Sequence, residues 1–192
     1  MFNSFRRSMI ARLIGISAIA LVSSGAQYSC SASSDDENPF PPRELDSGEG
    51  ENFSSSLVLR DSAGTEKYTF DRAELITLEL TVRNRKAEPV TVQLSSPGTS
   101  DFFVFRSGRN VAAWNCTHGL ASPAIVVPLV FAPNEAKVIS CTWNQVLPDG
   151  DMAGRGNYEA RGVILAVGVF GPTGSPLAPH ELASGLRAFR IR

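Results

Sequence analysis

Apolar and polar side chains alternate with a period of two through most of the chain after residue 56. In ELITLELTVRN, Ile76, Leu78, Leu80 and Val82 alternate with Thr77, Glu79, Thr81 and Arg83. That spacing predicts a strand with one buried and one wet face. Val90, Val92 and Leu94 alternate with Thr91, Gln93 and Ser95 in the next predicted strand. DFFVFRSGRNVAAWN reads as a hairpin turning at Ser107-Gly108-Arg109-Asn110. In PAIVVPLVF, Pro128 cannot donate to a ladder, so that strand belongs at an edge or carries a bulge. Leu57 to Arg60, EAKVISCTWN, NYEARGVILAVGVF and GLRAFRIR complete the set. Turn residues separate these runs at roughly 8–12 residue intervals, and no long stretch has the 3.6-residue period of a helix. The expected fold class is all-β, an immunoglobulin-like antiparallel β-sandwich over residues 57–192.

Strand parity bears on the cysteines. Trp114 and Cys116 share one parity, and Ile139, Cys141 and Trp143 share another. Each cysteine therefore stands beside a tryptophan on an inward face, an arrangement suited to a buried sandwich disulfide. Closing the loop between Cys116 and Cys141 would contribute on the order of 3 kcal/mol. The competing reading is two buried thiols that never meet.

The N-terminal 56 residues break the strand pattern. Arg6, Arg7 and Arg12 precede or open an apolar run, Leu13 to Val22, which ends in small residues. The run is about half of the ~20 residues that span a bilayer as a helix, and its layout is that of an export signal over residues 1–29. Two cleavage sites compete. One makes Cys30 the lipidated first residue of an envelope lipoprotein, with Gln27 departing from the leucine-like residue common at such sites. The other follows Ala26. The chain has three cysteines. If Cys116 pairs with Cys141, Cys30 is left over, and lipidation gives it a role that an exposed thiol in an oxidising compartment lacks. Residues 30–56 are rich in Ser, Asp, Glu, Pro and Gly and read as a disordered tether.

Composition narrows the function. The chain of 192 residues is 43% hydrophobic and 19% charged, with a net charge of −1. Removing the signal takes away three arginines and no acid, which leaves about −4. No basic footprint for nucleic acid remains. His118 and His180 lack partners at triad or metal spacing, and no serine stands in a G-x-S-x-G elbow. Asp149-Gly150-Asp151 resembles the start of a calcium loop, but Ala153 occupies the next ligand position. Gly154-Arg155-Gly156 precedes a strand and reads as turn chemistry. These features argue against an enzyme, a metal site, a cofactor and a small-molecule substrate. They leave a protein partner, met either by an edge strand or by an end loop. Two loops are long enough, Cys116 to Pro123 and Gln145 to Asn157, and the second carries Leu147, Met152 and Arg155.

The segment from about Tyr68 to Phe170 resembles the intracellular proteinase inhibitor (BsuPI) family. The matching features are ELITLELTVRNRKAEPVTVQLSS, then Asp101-Phe102 with Val104, then Val111 and Trp114, then FAPNEAKVISCTWNQ and PDGDMAGRGNYEARGVI. They cover a little over half of the chain. The sequence departs from the family pattern where Asn144 replaces an aspartate and where Ala132-Pro133-Asn134-Glu135 replaces a Pro-Gly-Glu turn. The cysteine pair is a further departure. The resemblance implies an immunoglobulin-like sandwich and, through the family's name, a proteinase as partner. It transfers no reactive-site residue. Together these readings describe a non-catalytic protein-binding module of the bacterial envelope, membrane-anchored through Cys30. The alternative is an assembly module that contacts envelope proteins through an edge strand.

Overall fold

The structure is a computed structural model, and it describes residues 49–94, 100–120, 125–171 and 182–192. Residues 1–48, with the signal, Cys30 and most of the tether, lie outside the described residues, as does His180. Among the described residues there are eleven strands: β1 Phe53–Arg60, β2 Thr69–Phe70, β3 Ile76–Asn84, β4 Val90–Leu94, β5 Ser100–Arg106, β6 Ala112–Asn115, β7 Val127–Phe131, β8 Ala136–Trp143, β9 Gly156–Ile164, β10 Ala166–Phe170 and β11 Arg187–Ile191. They form three sheets, ordered β1-β3-β8, β2-β11-β9-β5-β6 and β10-β4-β7. Every pairing is antiparallel except the short β2–β11 pair. The fold is an immunoglobulin-like β-sandwich, as the alternation predicts.

The inward residues of β3, from Ile76 to Val82, are fully buried, and the alternate residues are not. The β1-β3-β8 and β2-β11-β9-β5-β6 sheets meet at Gly162 of β9. A Cβ there would stand 3.1 Å from Leu80 Cβ and 3.1 Å from the Phe102 ring, so glycine permits the close approach of the two layers. At one end of the core Trp143 of β8 stacks on Trp114 of β6, with centroids 5.5 Å apart. It also meets Tyr158 and Phe189 edge-on, at 6.2 and 6.5 Å. Offset and edge-on pairs of this kind add to the burial of large rings.

The β3–β8 ladder continues into the β4–β7 ladder around a corner. The last pair of one is Arg83↔Ala136 and the first of the other is Val90↔Phe131. Asn84 holds the corner from a fully buried position. Its Nδ2 donates to Glu88 O at 2.8 Å and to Ala132 O at 3.0 Å, and its Oδ1 accepts from Lys86 N at 2.9 Å. Asn134 completes the opposite turn with φ 57°. Asparagine tolerates this left-handed conformation, so the turn forms without a glycine.

Two expectations change in detail. The tether does not reach residue 56, because β1 begins at Phe53. Phe53 is fully buried, with its ring edge-on to Phe131 at 5.2 Å. The serines misled the composition reading: FSSSLVLR turns Phe53, Ser55, Leu57 and Leu59 inward, and Ser55 is small enough to be buried there. NYEARGVILAVGVF forms two strands that part at Leu165, β9 along β5 and β10 along β4. Phe103 and Phe105 of DFFVF are buried on the outer face of their sheet, in a second apolar cluster with Val163 and Ala183. Pro128 sits on β7, which pairs only with β4 among the described residues, at an edge as expected.

Candidate functional site: the loop from Gln145 to Asn157

The loop is built outward from the end of β8. Trp143 Nε1 donates to Val146 O at 3.0 Å, so the buried indole finds its partner in the loop itself. Asn144 Oδ1 accepts from Val146 N at 3.0 Å, a local turn that an aspartate would make equally well. Gln145 is fully buried with φ 63°. Its Nε2 donates to Asp71 O at 2.8 Å and Glu74 O at 2.9 Å, and its Oε1 accepts from Ala73 N at 3.1 Å. One amide therefore joins this loop to the turn between β2 and β3, and meets three main-chain groups that would otherwise face a side chain with nothing to offer them.

Beyond Gln145 the loop closes on itself. Val146 and Met152 pair as an antiparallel bridge. Leu147 N donates to Asp151 O at 2.8 Å, Gly150 N to Leu147 O at 2.9 Å, and Ala153 N to Gln145 O at 2.7 Å. Gly150 supplies φ 90° at the tip. Asp149 Oδ1 accepts from Asp151 N at 3.0 Å, which is the turn role expected of that pair. Leu147 is half-buried and packs on the core, and Met152 is half-buried too. Arg155 is exposed.

The base of the loop is fixed by two more contacts. Tyr158 Oη donates to Gly154 O at 2.6 Å. Arg106 Nη2 donates to Arg155 O at 3.2 Å, while its guanidinium lies 5.9 Å from the centre of the Tyr158 ring. A Cβ on Gly154 would stand 3.3 Å from Arg106 Nη2, so the glycines on either side of Arg155 leave room for that guanidinium. Of the three candidate side chains in the loop, Leu147 and Met152 anchor it and Arg155 is the one presented.

Cys116 and Cys141 are disulfide-bonded, with Cα atoms 6.5 Å apart. The bond ties β8 to the end of β6 beside the Trp114–Trp143 stack. Asp101, buried at the start of β5, organises the turn that carries Cys116. Its Oδ1 accepts from Phe102 N at 2.8 Å and Thr117 N at 3.1 Å; its Oδ2 accepts from Asn115 Nδ2 at 2.9 Å and from the Thr117 hydroxyl. The first long loop, Cys116 to Pro123, is described only to Leu120, where His118 is exposed. Among the described residues no group of three or more His, Cys, Asp or Glu is placed to hold a metal ion.

Sequence reasoning missed the roles of Gln145 and Asp101. Both stand in the stretches that carry the family resemblance, WNQ and the Asp-Phe pair, and that placement was the available signal. At the opposite end of the fold, Lys137 Nζ and Ala132 N bond the Glu135 carboxylate, at 2.8 and 2.7 Å. The lysine, first, and the main-chain donor hold its pKa below the ordinary glutamate value.

No protein-family model matches the chain, and no curated protein matches its sequence. Solved structures are similar to it in part. A β-glucosidase from Erythrobacter marinus is 9% identical with a TM-score of 0.39, over 76% of this chain and 16% of that one. A β-glucosidase from Listeria innocua is 9% identical with a TM-score of 0.36, over 75% of this chain and 17% of that one. A CARDB domain from Pyrococcus furiosus is 13% identical with a TM-score of 0.36, over 80% of this chain and 100% of that one. The chain thus matches a small part of each glucosidase and the whole of the CARDB domain. At these scores the likenesses carry no argument about activity, sugar or metal.

Proposed function

We propose that the chain is a non-catalytic protein-binding module of the bacterial envelope, and in its most specific form a proteinase inhibitor that presents Arg155. The observation that carries this reading is the bracing of the loop. Gln145 fixes one end, Arg106 and Tyr158 fix the other, and Arg155 is exposed on the segment between them, along with Pro148, Asp149 and Asp151. A segment held in one conformation before binding loses little entropy on binding. An exposed arginine on such a segment suits the acidic specificity pocket of a trypsin-like proteinase. The BsuPI resemblance points to the same partner class. In this reading residues 1–29 direct export and Cys30 carries the lipid that holds the module at a membrane.

The test is inhibition of arginine-specific serine proteinases by the full chain and by Arg155→Ala. The reading expects the wild type to inhibit and the variant to lose at least about 100-fold, on the scale of a central interface residue. No inhibition, or equal inhibition by the two proteins, would overturn the inhibitor form.

A second reading, assembly through an edge strand, is favoured by β7. It is an edge among the described residues, with Val126 and Val130 exposed at 63% and 51%. It expects an envelope protein or a second copy to be captured by the wild type and lost on Val130→Lys, a charge of the kind that blunts natural edges.

A further inference from the structure

The loop that presents Arg155 is joined through Arg106 to a basic groove. The groove has a volume of about 520 Å³ and is lined by Arg106 and by residues 108–113, Gly108 to Ala113. Arg106 and Arg109 bring two guanidinium groups to it. Val111, exposed at 62%, and the alanines at 112 and 113 give it an apolar side. The groove runs along the start of β6, which is the outer strand of the five-stranded sheet. The register of β6 against β5 slips there: Val104 faces Trp114 and Phe105 faces Ala112, so Ala113 is an extra residue. A bulge of this kind re-aims side chains and ends regular pairing at an edge.

Among the described residues no carboxylate forms an ion pair with Arg106, Arg109 or Arg155. The nearby Glu159 accepts from Ser107 Oγ at 3.3 Å. Arg106 belongs to both features: it lines the groove, and its Nη2 donates to Arg155 O.

We infer that the groove between Arg106 and Val111 docks an acidic, partly apolar polypeptide segment of the partner. The inference rests on the reading of the loop as a protein-binding site and names the chemistry of what meets it. The two guanidiniums pair with carboxylates, which they bind in a fork geometry. The apolar side accepts an aliphatic or aromatic neighbour of those carboxylates. Phosphate headgroups would match the charge but have no use for that apolar side, so polypeptide is favoured over an anionic membrane.

The test is a titration of the isotopically labelled full chain, in detergent, with a synthetic peptide that alternates glutamate and leucine, followed by amide shifts. Shifts should concentrate at Arg106 and residues 108–113. Affinity should fall about 10-fold between roughly 0.05 and 0.5 M salt, because the contacts are charged and partly exposed. It should fall about 10-fold in Arg109→Glu and by less in Arg109→Gln, both at an exposed turn position. A peptide with glutamine in place of glutamate should not bind. The proposal is overturned if Arg109→Glu binds like wild type, if the shifts lie elsewhere, or if phosphatidylglycerol vesicles occupy these residues and displace the peptide. The outcome is separable from that of the inhibitor reading. Loss of peptide binding with inhibition intact removes only the groove, and peptide binding without any inhibition removes only the inhibitor.

Discussion

Gln145 makes a sharp prediction at the scale of one residue. Its side chain meets two carbonyls and one N–H of the β2–β3 turn. Gln145→Ala leaves those groups without the amide, and Gln145→Glu replaces the donor with a second acceptor. Either change should lower stability by about 1–3 kcal/mol, through the hydrogen bonds lost between this buried position and the turn. Urea unfolding of the full chain measures it. Asn134 predicts the opposite sign of tolerance. With φ 57° at an exposed turn, Asn134→Gly should change stability by less than about 0.5 kcal/mol, and Asn134→Val should cost about 1–2 kcal/mol. The alternation of apolar residues located the strands around these positions, because burial of one face acts on every second residue. It was silent about Gln145 and Asp101. Their partners are main-chain groups of segments distant in sequence, and pattern within one strand carries no information about such contacts.

At the scale of elements, the separation of the two layers is set where β9 crosses β3. Gly162→Ala would place a methyl 3.1 Å from Leu80 Cβ and from the Phe102 ring. Both neighbours are buried in a packed core and must give by a few tenths of an ångström, so a loss of about 1–3 kcal/mol is expected in a denaturant titration. The Glu135 turn between β7 and β8 gives a pH dependence. Its folded pKa lies below the ordinary glutamate value, through Lys137 and Ala132 N. The contribution is therefore complete above the unfolded-state value and is lost as pH falls through the lower, folded one. Glu135→Gln should flatten that part of the acid limb of melting temperature against pH, with little change at neutral pH beyond a constant offset. Pro128 left two placements for β7, an edge or a bulge, since proline lacks the donor a central strand needs, and the structure takes the edge. The division of β9 from β10 was not legible. Nothing in VILAVGVF marks the point at which the neighbouring strand changes from β5 to β4.

Across the whole molecule, the disulfide and the stacked tryptophans fasten the end of the sandwich from which the Gln145–Asn157 loop projects. Parity foresaw this: Trp114 with Cys116 and Cys141 with Trp143 each share a face, and the structure joins the two pairs. Reduction should lower stability by about 3 kcal/mol, the order expected for a loop of this size, seen as a shifted denaturant midpoint with and without reductant. The fold class and most strands were thus readable from the sequence, and so was the stretch that carries the loop. The inward packing of Leu147 was not, because a half-buried side chain in a loop leaves no periodic trace.

The central claim is that this loop is built before any partner arrives and leaves Arg155 exposed. Amide hydrogen exchange of the free full chain tests it most directly. The account predicts that the amides of Leu147, Gly150, Asp151 and Ala153, each bonded within the loop, exchange at least about 100-fold more slowly than in an unstructured peptide, while that of Arg155, for which no such bond is seen, exchanges freely. Exchange of all these amides at the unstructured rate would contradict it.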